Sequence, residues 1–162
     1  MRRVKIFYLS FALIFFLTLP LSLNADQSLF KPELASSPQA KKIFSFIQEN
    51  RENIIKEWIL LTEIPAPSGH EGKRAQYMKK QFEDSGLDEA YIDECGNAVG
   101  IWKGTDKGKN IVFGAHLDTV FQDVWEIKVK REGNILKAPG IGDDTASCIN
   151  LLWSIRALKH AG

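Results

Sequence analysis

An excess of charge of either sign is missing from this 162-residue chain: 21 Lys and Arg stand against 20 Asp and Glu, a formal net charge of +1. No basic stripe builds up, which excludes the electrostatic footprint of a nucleic-acid binder. Cysteine is scarce, with two residues, Cys95 and Cys148. They could pair in an oxidising compartment, but Cys148 falls in a strongly apolar stretch, which favours a buried free thiol. There is no internal repeat and no low-complexity tract. From Thr145 to Gly162 the sequence contains neither Asp nor Glu, so this stretch supplies no metal-binding carboxylate.

What is present begins with one long apolar run. Residues 1–5 carry Arg2, Arg3 and Lys5, "IFYLSFALIFFLTL" follows without a charge, and Ala25 closes a short polar stretch. A basic start, an apolar run of this length and a small residue afterwards read as a secretory signal peptide over residues 1–25. The run is short for a spanning helix, and an uncleaved membrane anchor is the alternative. Without a Cys in this region, a lipoprotein signal is not indicated. Cleavage leaves 137 residues, with 18 basic against 20 acidic side chains, a net charge of about −2. The expected product is secreted or periplasmic and meets a membrane only through its signal peptide.

Residues 26–37 form a polar, proline-containing lead-in. Ser37 before Pro38 makes a good helix start, a capping serine with proline at the first helical position. Ile43, Ile47, Ile54, Trp58 and Leu61 recur at helical spacing, predicting one amphipathic helix over residues 41–63. Pro65 and Pro67 end it. "SGHE" has the serine-x-x-glutamate spacing of a capping box. Ala75, Met78 and Phe82 mark the apolar face of the next helix, and Gly86 stops it. The period then changes. "AYID" and "AVGIW" read as strands around the turn "ECGN", and "IVFGAHL" as a strand buried on both faces. "WEIKVKRE" alternates, and Gly133-Asn134 turns it into "ILKA", a hairpin. "PGIGDDT" is a loop and "ASCINLLWSIRALKHAG" a buried helix. Helices packed on a mixed β-sheet, an α/β fold, are the expected architecture.

The chemistry-bearing residues sit at the end of that central strand. His116 and Asp118 are two apart and share one face. A metal-bound histidine usually gives its second ring N–H to an oxygen acceptor, so His116 on a metal with Asp118 tuning it is one economical arrangement. For "HLD" alone, a strand-end histidine bonded to a nearby carbonyl is the simpler account. A second signal comes from "GIGDDTAS", where Asp143 and Asp144 follow glycines and precede an apolar helix. They can cap that helix, but a carboxylate brought to a strand-end histidine makes a nitrogen-and-oxygen site suited to zinc, cobalt or manganese. His160 lies roughly 25 Å from Asp143 along its helix, too far to share a metal. His70 and Glu71 read as parts of a helix start.

Taken together, "IPAPSGHEGKRAQYMKKQFEDSGL", "DECGNAVGIWKG", "GAHLDTVF" and "KAPGIGDDTASCINLLWSIRALKHAG" resemble the first part of the M20 family of metallopeptidases. These co-catalytic zinc amidohydrolases include tripeptide aminopeptidases, glutamate carboxypeptidases, dipeptidases and aminoacylases. The resemblance covers residues from about 40 to 162, and its specificity lies in the order of the motifs with a hairpin between them. It implies a Zn-exopeptidase-like catalytic domain with two Zn2+ per site, Co2+ or Mn2+ being alternatives. Small peptides or N-acyl amino acids would be the substrates, and full-length members form homodimers. Carried over residue by residue, it makes His116 a ligand of one zinc and Asp118 the catalytic-site neighbour that orients the histidine. Asp143 becomes the carboxylate bridging both metals, and the Asp143–Asp144 peptide is implied to be cis.

The family pattern continues with a Glu-Glu pair that supplies the general base and a ligand, then a further acidic ligand, a late histidine and an inserted smaller domain. None lies within the 162 residues. Residues 38–162 are therefore expected to be the N-terminal part of such a domain, truncated after the helix that follows the Asp-Asp loop, with little or no hydrolytic activity alone. Two alternatives stand beside this. One is a catalytically dead scaffold or interaction domain. The other is an M28-type aminopeptidase, which shares a histidine-x-aspartate strand and a later Asp-Asp. The 24 residues between Asp118 and Asp143 and the "PSGHEG" entry favour M20.

Overall fold

A serine hydroxyl starts the first long helix. Ser37 Oγ accepts the Ala40 N–H at 3.1 Å, with Pro38 in the first turn, as its position in the sequence predicts. The computed structural model describes residues 31–105 and 108–162. The expected signal peptide and the first five residues of the lead-in lie outside the described residues. After a single turn, α1 (Pro32–Ala35), come α2 (Pro38–Glu49), α3 (Arg51–Glu63), α4 (Gly72–Asp84), the strands β1 (Glu89–Ile92) and β2 (Ala98–Ile101), the strands β3 (Lys130–Glu132) and β4 (Ile135–Lys137), and α5 (Thr145–Ala161). No helix among the described residues is long and apolar enough to cross a membrane.

The predicted single helix over residues 41–63 is two helices, α2 and α3, which meet at Asn50. The Asn50 side chain donates to the Phe46 carbonyl at 2.9 Å and accepts from Asn53 at 3.1 Å. An asparagine that bonds its own backbone competes with helix propagation. The apolar spacing carries across the break, so Ile47, Ile54 and Trp58 still pack against one core with the fully buried Leu61. Met78 and Phe82 of α4 and Cys148, Ile149, Leu152 and Trp153 of α5 complete it. Gly86 ends α4 with φ at +68°, the left-handed conformation that suits glycine at this position.

The molecule is α/β, but its strands form two separate two-stranded antiparallel ladders. β1 and β2 pair from Glu89↔Ile101 to Ile92↔Ala98, closed by a turn in which Asp93 Oδ1 accepts the Cys95 and Asn97 N–H groups. β3 and β4 form the hairpin expected around Gly133-Asn134, in register from Lys130↔Lys137 to Glu132↔Ile135. It is shorter than the alternation suggested. Ile127 is buried, yet Trp125 is 57% exposed. The larger difference is at "IVFGAHL". This stretch joins no ladder among the described residues, and Ile111, Val112 and Phe113 are 79, 89 and 77% exposed. An apolar run reports a propensity for burial; burial itself needs neighbouring strands, and none of the described segments takes that place.

Glu57 ties the helices together. Its carboxylate accepts from Tyr77 Oη at 3.0 Å, Trp153 Nε1 at 2.7 Å, and both terminal nitrogens of Arg156 at 2.5 and 3.2 Å. Burial, and then the neighbouring carboxylate, push the Tyr77 hydroxyl pKa well above its ordinary value. The Glu57 and Arg156 side chains are only 13 and 21% exposed, so losing one partner leaves a poorly hydrated charge. Glu57→Ala should cost about 2–4 kcal/mol, read as a shifted urea midpoint at unchanged slope.

Candidate metal centre

Residues 115–119 carry His116 and Asp118, and backbone contacts from several elements hold them where a sheet does not. Thr119 N–H donates to the Ala66 carbonyl at 2.8 Å and forms a parallel bridge with Pro67. Arg74 Nη1 donates to the Leu117 carbonyl at 2.7 Å. The Cys148 thiol donates to the His116 carbonyl at 3.3 Å, and Asp144 Oδ2 accepts the His116 N–H at 3.1 Å. Cys148 is a buried free thiol whose pKa is pushed up to about 11 by burial; Cys95 is free and exposed. Asp144 occupies the cap position of α5 but makes no side-chain cap. Its carboxylate is used on the histidine backbone, which corrects the reading of that residue as a helix cap.

The facing loop delivers Asp143. Trp58 Nε1 donates to the Ile141 carbonyl at 2.8 Å, and Thr145 Oγ1 donates to Gly140 O at 2.9 Å. Thr62 and Thr145 hydroxyls meet at 2.9 Å. This buried polar pair therefore fixes the turn from within the core. The Asp143–Asp144 peptide is cis, the isomer the resemblance implied.

Between these two supports the three predicted side chains come together. His116 Nε2 lies 2.9 Å from Asp143 Oδ1, and Nδ1 lies 3.0 Å from Asp118 Oδ1. Partial desolvation works against the charged imidazole, but hydrogen bonds to Asp143 and Asp118 outweigh it and hold the pKa of His116 above its ordinary value. Asp118 is held below the usual carboxylate range. The largest cause is a hydrogen bond from Ser68, whose Oγ donates to Asp118 Oδ2 at 2.5 Å; burial opposes it and His116 adds to it. Ser68 was expected to cap α4. Instead Glu71 holds the cap position without a side-chain cap, and its Oε1 accepts the Gly69 N–H at 2.5 Å. The capping box is thus replaced by a contact to the centre.

A divalent cation fits the first two donors. Bonds of about 2.0–2.1 Å to nitrogen and about 2.0–2.2 Å to oxygen span the observed 2.9 Å separation at an angle near 90°. A tetrahedral angle asks for about 3.4 Å, within reach of a small rotation, since His116 and Asp143 side chains are 49 and 82% exposed. Among the described residues, no group of three or more His, Cys, Asp or Glu is placed to hold a metal ion. His116 Nε2 and Asp143 Oδ1 are two donors that could hold a metal, one fewer than the three protein ligands that catalytic zinc usually takes.

Arg74 and Ser68 escaped the sequence reading. Arg74 lies four residues before Met78 and eight before Phe82, on the face that packs inward, and a charge on that stripe was the available signal. Ser68 carried no such mark, since its spacing to Glu71 suits a cap.

Residues 97–162 match the profile of peptidase family M28. The family held as the alternative is thus the one that matches over that stretch. Among curated proteins, the chain is 36% identical over 95 residues to a Pyrococcus abyssi protein named as a LysW-lysine/LysW-ornithine hydrolase, covering 59% of this chain and 26% of the relative. A Thermococcus kodakarensis protein of the same name is 43% identical over 60 residues, covering 37% of this chain and 17% of the relative. The uncharacterised Bacillus subtilis protein YqjE is 27% identical over 122 residues, covering 68% of this chain and 33% of the relative. The chain therefore spans a third or less of these relatives' lengths. Its similarity is to peptidase-family hydrolases, which supports a function of the metal-dependent hydrolase type.

Proposed function

We propose that this chain carries the histidine–aspartate part of a two-metal centre that hydrolyses amide bonds in small peptides or N-acyl amino acids. The observation that carries this reading is the convergence of His116 Nε2 and Asp143 Oδ1, with Asp118 on the opposite ring nitrogen. Asp118 accepts a hydrogen bond from Nδ1–H, which fixes the tautomer and leaves the Nε2 lone pair for a metal. Asp143 offers two oxygens on an exposed turn, the geometry a bridging carboxylate needs. When bound, divalent metal supplies carbonyl polarisation and an acidified water. The names of the archaeal relatives, hydrolases of LysW-lysine or LysW-ornithine, support the hydrolytic class. The finer assignment to M20 rests on motif order and on the spacing between Asp118 and Asp143, whereas the matched profile favours M28. Both readings use the same three residues. A secreted or periplasmic location is proposed on the N-terminal sequence alone.

The test is zinc binding by the purified chain. Zinc should bind measurably, and His116→Ala and Asp143→Ala should each weaken it at least tenfold. Affinity should fall as the pH drops from 8 to 6. The carboxylates favour the protonated ring, metal must displace the Nε2 proton, and acid therefore competes with metal. Zinc affinity that ignores both substitutions places the metal elsewhere and ends the proposal. With only two convergent ligands among the described residues, peptide hydrolysis by this chain alone should be negligible.

A further inference from the structure

The three-residue centre has a fourth member that no motif assigned. Ser68 Oγ donates to Asp118 Oδ2, and Asp118 Oδ1 faces His116 Nδ1. His116 Nε2 faces Asp143. The four side chains form one line, with a hydroxyl at the end away from the proposed metal. The serine is brought there by construction. Thr119 N–H bonds the Ala66 carbonyl, and Thr119 forms an isolated parallel bridge with Pro67, so residues 66–68 run beside residues 117–119. Arg74 reinforces this docking by donating both to the Ile64 carbonyl, before Ser68, and to the Leu117 carbonyl, before Asp118.

From this geometry we propose that Ser68 is a positioning residue for the metal-binding histidine. It rests on the metal-centre reading above. A carboxylate on an open surface has two equivalent oxygens and rotates freely about its terminal bond. The Asp118 side chain is 30% exposed, so water competes for both oxygens. A hydroxyl bound to Oδ2 ends that equivalence and leaves Oδ1 directed at Nδ1. That favours the ring proton on Nδ1 against the pull of the Asp143 carboxylate at Nε2, and so frees the Nε2 lone pair for a metal. Outer partners of metal-bound histidines are commonly worth 10–100-fold in affinity. Ser68 stands one contact further out, which puts its effect at the lower end, about tenfold. Ser68 itself is exposed, so removing its hydroxyl does not threaten the core.

The experiment uses the full chain labelled with 15N-histidine, whose three imidazoles are distinguishable by His→Ala variants. Ring nitrogen shifts are recorded without metal at a pH where His116 is neutral, and zinc affinity is measured by titration. In Ser68→Ala, the fraction of His116 protonated on Nδ1 should fall and zinc should bind about tenfold more weakly. Ser68→Thr, which keeps the hydroxyl, should restore both. A hydroxyl that only stiffened the loop would leave the tautomer ratio unchanged. An Ser68→Ala chain with the wild-type tautomer ratio therefore overturns the proposal, whatever its affinity. A wild-type chain in which zinc does not perturb His116 overturns the metal-centre reading instead, while the metal-free tautomer comparison still decides the role of Ser68.

Discussion

Arg74→Ala is expected to destabilise the chain by about 3–5 kcal/mol, measured by urea unfolding. Arg74 is fully buried and has no carboxylate hydrogen-bond partner among the described residues. Its guanidinium instead donates to three backbone carbonyls, Nε to Ile64 O at 2.7 Å, Nη1 to Leu117 O at 2.7 Å and Nη2 to Thr62 O at 3.2 Å. Burial lowers its pKa, the physical mark of an uncomfortable charge kept for its hydrogen bonds. These carbonyls belong to the end of α3, the turn after it and the segment that carries the histidine, so one side chain joins three pieces of backbone. Each carbonyl left without a donor costs about 1–3 kcal/mol, and the losses are not fully additive. Arg74→Met separates the causes. It restores most of the volume without the donors, so it should be nearly as damaging as alanine. A methionine variant within 1 kcal/mol of wild type would show that packing, not carbonyl satisfaction, is what Arg74 contributes.

Arg74 also shows where sequence reading stops. The spacing of Ala75, Met78 and Phe82 and of Ile47, Ile54, Trp58 and Leu61 is a local property of the chain, and it gave the helices and the inward faces. Both hairpin turns were likewise legible, because Gly133-Asn134 and "ECGN" act within a few residues. The break at Asn50 was not, since a side chain bonding Phe46 O competes with propagation by a margin that apolar periodicity does not register. Nor was the fate of "IVFGAHL". Its composition suits a two-face-buried strand, but pairing depends on neighbours that are not local. At the centre, His116, Asp118 and Asp143 were singled out by their residue types and order, and the structure brings the three side chains together. Ser68 and Asp144 were misread as caps for one shared reason. Short polar side chains next to helix starts satisfy caps and distant partners equally well, and only the fold decides between them.

Gly140→Ala should be the most damaging substitution in the Asp143 loop, costing about 2–4 kcal/mol and at least tenfold in zinc affinity. Two effects combine at this position. Gly140 has φ at +72°, where an L side chain costs about 1–2 kcal/mol. Its added Cβ would also lie 2.4 Å from Thr119 Cγ2. Thr119 has little room to move away. It is 1% exposed, its N–H is bonded to Ala66 O, and its hydroxyl has no partner among the described residues. Relief must come from the loop, which carries Asp143 three residues on and faces Asp118 through Thr119, so the contact between His116 and Asp143 should open. Thr119→Ser in the alanine background removes the clashing methyl and leaves the backbone cost. The double variant should therefore recover the steric share of the stability and most of the zinc affinity. If Thr119→Ser recovers neither, the loop is displaced by its backbone conformation alone. Zinc affinity then becomes the more informative measurement, because only displacement of Asp143 links the turn at Gly140 to the histidine.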